Sequence, residues 1–226
     1  MFDCFKKKSK APQVKEPERP INTIGPDDNV PIALVVGHNH KSQGATNYLG
    51  ESEYRFNKRI ANKVQQKLLV NGIKCAIIER PTGSYSYQSR KVAEMCKELG
   101  VEFSMHMHFN SASSKARGCE VLVTPTATKL DDNFADYMTD RLNKEYGFRE
   151  RHEDGIKRVY KGHRGYTMLA AVRDAGIIPV LLEPTFANHR HKESILIFEQ
   201  EDKYVDLLVD CLYKVARGEL PGYGDE

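Results

Sequence analysis

Hydrophobic positions in this chain follow two rhythms that alternate along its length. Short unbroken apolar runs, such as Ile32-Ala33-Leu34-Val35-Val36 and Ile177-Ile178-Pro179-Val180-Leu181-Leu182, have the length of strands buried on both faces. Between such runs the apolar positions spread to helical spacing. Tyr54, Ile60, Ala61, Val64, Leu68 and Leu69 mark one face of a long helix that starts near Glu53 and stops at Asn71-Gly72. The pattern predicts further strands over 73–78, 101–106 and 118–124. It predicts helices over 87–99, 132–146, 167–174 and 200–217, several closed by glycine (Gly100, Gly147, Gly218). Strand and helix alternate, which implies a single-domain α/β fold: a mostly parallel sheet flanked by helices on both faces.

Polar stretches set the limits of that domain. Residues 1–28 are rich in Lys, Pro and Glu without apolar periodicity and read as a flexible arm. The catalytic domain is expected over 29–218, followed by a short polar tail over 219–226. No internal repeat is visible.

Composition narrows the classes. At 226 residues, 40% apolar and 29% charged, the chain suits one globular domain. No apolar stretch approaches the roughly 18–20 residues needed to span a bilayer, so no stable membrane insertion is expected. Met1 to Lys8 lacks the order of a secretory signal, and the five scattered cysteines read as reduced thiols in a chain made in the cytoplasm. A net charge of +3 is too weak to argue for nucleic acid.

The candidate chemistry sits at the ends of the buried runs. Gly37-His38 ends the first strand, and His106-Met107-His108-Phe109-Asn110 ends the run from Val101. Sites in parallel sheets form beyond the carboxyl ends of strands. His38, Glu53 and His108 would give two imidazoles and a carboxylate, the donor set of catalytic zinc with one position left for water. Glu183, at the end of the last apolar run, is placed to act as a general base. Its apolar surroundings would raise its pKa. His106 lies two residues from His108 and shares its face, so either could reach a metal; with His108 as ligand, His106 becomes a pocket residue. Glu53 has a plainer reading as a helix N-terminal carboxylate, a role Glu51 or Ser52 could fill instead. His40 is a rim residue, His189 and His191 read first as solvated surface, and the charged loop 149–164, with His152 and His163, either lines the substrate groove or only covers the fold.

These residues resemble the zinc-dependent N-acetylmuramoyl-L-alanine amidases of type 3, which cut peptidoglycan. Four blocks match in order between about Pro31 and Ala216. They are Val35-Val36-Gly37-His38; Gly44-Ala45 with Glu53-Tyr54-Arg55-Phe56-Asn57; His108-Phe109-Asn110-Ser111-Ala112 with Gly118-Cys119-Glu120-Val121; and Pro179 to Glu183 followed by Phe186-Ala187-Asn188. The resemblance implies a twisted, mostly parallel sheet, with zinc on His38, Glu53 and His108 and Glu183 as catalytic acid/base. His106, His40 and Asn110 are candidates to support the ligands or to line the substrate groove. Asn39-His40-Lys41 replaces the family's glycine-rich stretch, His106 its serine or threonine, and Pro184 directly follows Glu183. The partner implied is peptidoglycan, met after release from the cell of origin, as for a bacteriophage endolysin reaching the host periplasm. A bacterial autolysin, a zinc carboxypeptidase or aminoacylase acting on peptides, and a wall-binding protein on a decayed amidase fold are the alternatives.

Overall fold

The computed structural model describes residues 31–112, 116–152, 154–187 and 192–220. The expected arm, Cys4, Asn188, His189, His191 and the tail beyond Leu220 lie outside the described residues. Six strands form one sheet in the order β2-β1-β3-β6-β4-β5. These are β1 (Ile32–Val36), β2 (Cys75–Glu79), β3 (Phe103–Met107), β4 (Glu120–Val123), β5 (Ile156–Arg158) and β6 (Ile178–Glu183). The first three and β6 run parallel, and the carboxyl ends of β1, β3 and β6 therefore open at one edge of the sheet. β4 is antiparallel to β6, and β5 parallel to β4.

Helices cover both faces, as the alternating pattern requires. On one face α1 (Glu53–Val70), α3 (Lys129–Tyr146) and α6 (Glu201–Arg217) pack over the sheet, with α5 (Lys192–Glu199) against α6. The other face carries α2 (Tyr85–Glu98) and α4 (Tyr166–Asp174). Alternate residues of β1 feed the two cores: Ile32, Leu34 and Val36 join the larger, Ala33 and Val35 the smaller. This is why β1 reads as an unbroken apolar run. Cys75, Cys96, Cys119 and Cys211 are free and buried, and desolvation raises Cys75 and Cys96 to about 12.

Two elements depart from the sequence expectation. β5 occupies part of the stretch read as a charged loop, because Ile156-Lys157-Arg158 is an edge strand with half-exposed side chains. α5 begins at Lys192, and its Ile195-Leu196-Ile197-Phe198 block carries no helical rhythm of its own. Leu220, assigned by sequence to the tail, is buried against the larger core.

Candidate metal centre and active site

The first candidate ligand is placed by a strained turn. Gly37 N donates to Met107 O at 3.0 Å, continuing the β1–β3 pairing by one residue. A Cβ on Gly37 would stand 2.8 Å from the His108 ring, so only glycine fits there. His38 then adopts φ 66°, a conformation uncommon outside glycine, which turns its ring over the strand ends.

Glu53 reaches the same point from α1. Ser52 caps the helix, accepting from Arg55 N, and Glu51 pairs with Arg59 instead. The first helical carboxylate is thus free to turn inward, where it is 2% exposed. Its Oε1 accepts from Phe109 N at 2.9 Å and lies 2.9 Å from His108 Nδ1. Its Oε2 accepts from Ala45 N at 3.1 Å. Burial opposes ionisation, but the contacts with His108 and His38 outweigh it and hold this carboxyl well below the usual carboxylate range.

His38 Nε2, Glu53 and His108 converge so that one donor atom from each lies within 4.8 Å of the others. Among the described residues this is the one such group of three. His38 Nε2 stands 3.3 Å from Glu53 Oε2, yet it is buried and makes no hydrogen bond. An imidazole nitrogen aimed without a partner at a carboxylate and a second imidazole is what a metal ligand looks like. Gly44, at φ 77°, walls the group: a Cβ there would lie 2.6 Å from Glu53 Oε2 and 2.8 Å from His38 Nε2. The residues therefore fit a zinc ion.

The other predicted residues fall into two groups. Asn110 and Glu183 lie beside the centre, whereas His106 and His40 do not enter it. His106 is wholly buried, 3.4 Å from Ser104 Oγ, and desolvation lowers its pKa to about 3, so it stays neutral beneath the cleft. His40 is exposed on the loop after β1.

Sequence reading gave Glu120 a place in a strand and in a block resembling the family, but no chemical role. In the structure it is directly opposite Glu183 across the β4–β6 pair, and both are buried. Four groups gather on Glu120: Asn110 Nδ2 donates to it at 2.6 Å, His152 Nε2 lies at 2.6 Å, and two cations stand at ion-pair distance, Arg151 Nε at 3.3 Å and Lys157 Nζ at 3.6 Å. Burial works against its charge, but Asn110 and the cations prevail and bring it down to about 2. Glu183 has no such support. Desolvation, then the neighbouring Glu120 charge, pushes it up to about 8. One carboxyl of the pair is fixed as an anion, and the other is left to exchange a proton near neutrality. The available signal was a charge heading a buried apolar run, Glu120-Val121-Leu122-Val123, because a buried acid needs partners.

A cleft of about 740 Å³ joins these groups, with His38, His108 and Glu183 on its floor. Residues 32–209 match the protein family described as N-acetylmuramoyl-L-alanine amidase. The chain belongs to that family. Solved amidases share the fold. The amidase Ami1 of Mycobacterium abscessus has a TM-score of 0.65 at 16% identity, over 82% of this chain and 98% of that one. The catalytic domain of the amidase CwlV from Paenibacillus polymyxa scores 0.62 at 23% identity, over 82% and 97%. The catalytic domain of an endolysin targeting Clostridium difficile scores 0.61 at 18%, over the same shares. The comparison with curated proteins found no match. As a family member the chain is an amidase acting on peptidoglycan, and its sheet and helices are those of the family.

Proposed function

We propose that the amidase holds zinc through His38, Glu53 and His108 and uses Glu183 as the proton carrier. The bond cut is the amide joining the lactyl carbonyl of N-acetylmuramic acid to L-alanine. The observation that carries this reading is the convergence of three ligand-type side chains beside a buried carboxyl with a raised pKa. Zinc on these donors would supply Lewis acidity, acidifying water and polarising the amide carbonyl. Glu183 takes a proton from the attacking water and passes it to the departing amine, so the products are the free lactyl acid and an L-alanyl peptide. A carboxyl near 8 can do both, since neither accepting nor giving up the proton is far uphill at neutral pH. Phe109 N and Ala45 N fix the Glu53 carboxylate, and Gly37 and Gly44 let both imidazoles close around it. The cell wall is the place of action on this reading. Among the described residues no helix is long and apolar enough to cross a membrane.

The test is release of L-alanine amino termini from purified peptidoglycan. Chelation should abolish it and zinc should restore it. A folded, zinc-loaded protein that released none would end this reading and turn attention to plain peptides.

Glu120 offers a second check, through pH. Its negative charge raises the pKa of Glu183, and Arg164 and Lys157 act in the opposite sense. Glu120→Gln removes the anion and leaves Arg151 and Lys157 without a carboxylate between them. Both changes favour ionised Glu183, so its pKa falls. The acidic limb of kcat/KM, where the base is lost to protonation, should move to lower pH by roughly one unit. An unmoved limb in a folded variant would mean that the two carboxyls are not coupled in turnover.

A further inference from the structure

The cleft wall on the β2 side carries a cation that the proton chemistry does not use. Arg80 directly follows β2, and its guanidinium is held on two sides. Its Nε and Nη2 donate to Gln88 Oε1 at 3.2 and 2.6 Å, and its plane lies 5.2 Å from the centre of the Tyr85 ring. Among the described residues it has no carboxylate within ion-pair distance, although it lines the same cleft as His38, His108 and Glu183. Burial disfavours its charge, yet a guanidinium does not give up its proton at physiological pH. A half-buried, oriented cation with free N–H groups, opening on a reaction cleft, is a receptor for a carboxylate.

Strand order says which carboxylate. Arg80 lies at the carboxyl end of β2, one strand from His38 on β1 and two from His108 beyond β3. Neighbouring strands are about 4.8 Å apart, so the cation is set off from the metal centre by roughly 5–10 Å. An extended peptide advances roughly 3.5 Å per residue, which places the second residue past the scissile amide at that distance. The sugar side of the substrate is neutral, because the muramic acid carboxyl is itself in the amide. The second stem residue, a D-glutamate joined through its γ-carboxyl, carries a free α-carboxylate unless that group is amidated. Arg164, the other arginine of the cleft, is exposed, and its charge acts on both Glu183 and Tyr85.

We propose that Arg80, held by Gln88 and Tyr85, forms a subsite for the free α-carboxylate of the second stem-peptide residue and selects unamidated peptidoglycan. This rests on the amidase reading. The substrates are N-acetylmuramoyl-L-alanyl-γ-D-glutamyl-L-lysine amide and its counterpart with the glutamate α-carboxylate converted to a carboxamide. The zinc-loaded enzyme should prefer the free acid by roughly tenfold to a hundredfold in kcat/KM, mostly through KM. Arg80→Gln should erase the preference by lowering kcat/KM on the free acid far more than on the amidated substrate, and Arg80→Lys should keep part of it. Binding of the two product tripeptides, followed by NMR titration, gives a readout independent of turnover and should show the same discrimination. Equal binding of acid and amide by the wild type would overturn the subsite. So would an Arg80→Gln variant that weakens both equally. If the wild type cleaves neither substrate, the amidase reading fails, and the product titration still decides the subsite.

Discussion

Glu183→Gln is expected to stop turnover without disturbing the fold or the metal centre. Glutamine matches the carboxyl in size but can neither accept the proton of water nor hand one to the leaving amine. Loss of a general acid/base costs typically on the order of 10²–10⁴ in rate, and here one group serves both transfers, so the upper part of that range applies. Stability should move the other way. Glu183 is 5% exposed and faces the Glu120 anion across paired strands. A neutral amide there can donate to Glu120 as the protonated carboxyl does, but without the proton uptake that a carboxyl with a raised pKa must make on folding at neutral pH, so the thermal midpoint should hold or rise. Rate and midpoint together separate chemistry from folding. A variant with wild-type kcat/KM would remove Glu183 from the reaction.

The parts of this architecture that were legible in the sequence are those where burial leaves a periodic trace. β1 and β3 are buried along their whole length and β6 from Pro179 onward, so their apolar runs stand out and their ends mark His38, His108 and Glu183. α1 shows its inward face through Ile60, Val64 and Leu68. Direction leaves no such trace: the run from Glu120 to Val123 reads the same whether β4 is parallel or, as found, antiparallel to β6. That reversal sets Glu120 against Glu183, and only the pairing register reveals it. β5 escaped notice because a three-residue edge strand with half-exposed side chains has no alternation to detect. Its Lys157 and the neighbouring Arg151 then supply the cations around Glu120, with His152 beside them, from a stretch the sequence leaves as either groove lining or cover. His106 shows the opposite limit. Strand periodicity puts it on one face with His108, but β3 ends at Met107, and His106 stays paired in register with Val35 and Leu181. His108, one residue beyond the strand, is the imidazole that reaches Glu53.

Glu53→Gln should cost both the metal and part of the fold, for separable reasons. On the proposed reading the carboxylate supplies a ligand atom, and it is the acceptor for two backbone donors, Phe109 N on Oε1 and Ala45 N on Oε2. Glutamine has one oxygen and one NH2, so in either orientation an N–H faces a backbone N–H. The unsatisfied buried donor should lower stability by about 1–3 kcal/mol. For a domain of this size that is a fall in Tm of roughly 2–4 °C per kcal/mol. Zinc affinity should drop further than the roughly 10–100-fold that follows loss of a group merely supporting a ligand. The two effects part when Tm is measured against zinc concentration. Zinc stabilises only the state that binds it, so the wild-type midpoint should climb with added metal and the variant's should stay low and flat. A variant whose midpoint climbs with zinc as steeply as the wild type's would show that Glu53 only braces the loop, and that the third donor has to be sought elsewhere in the cleft.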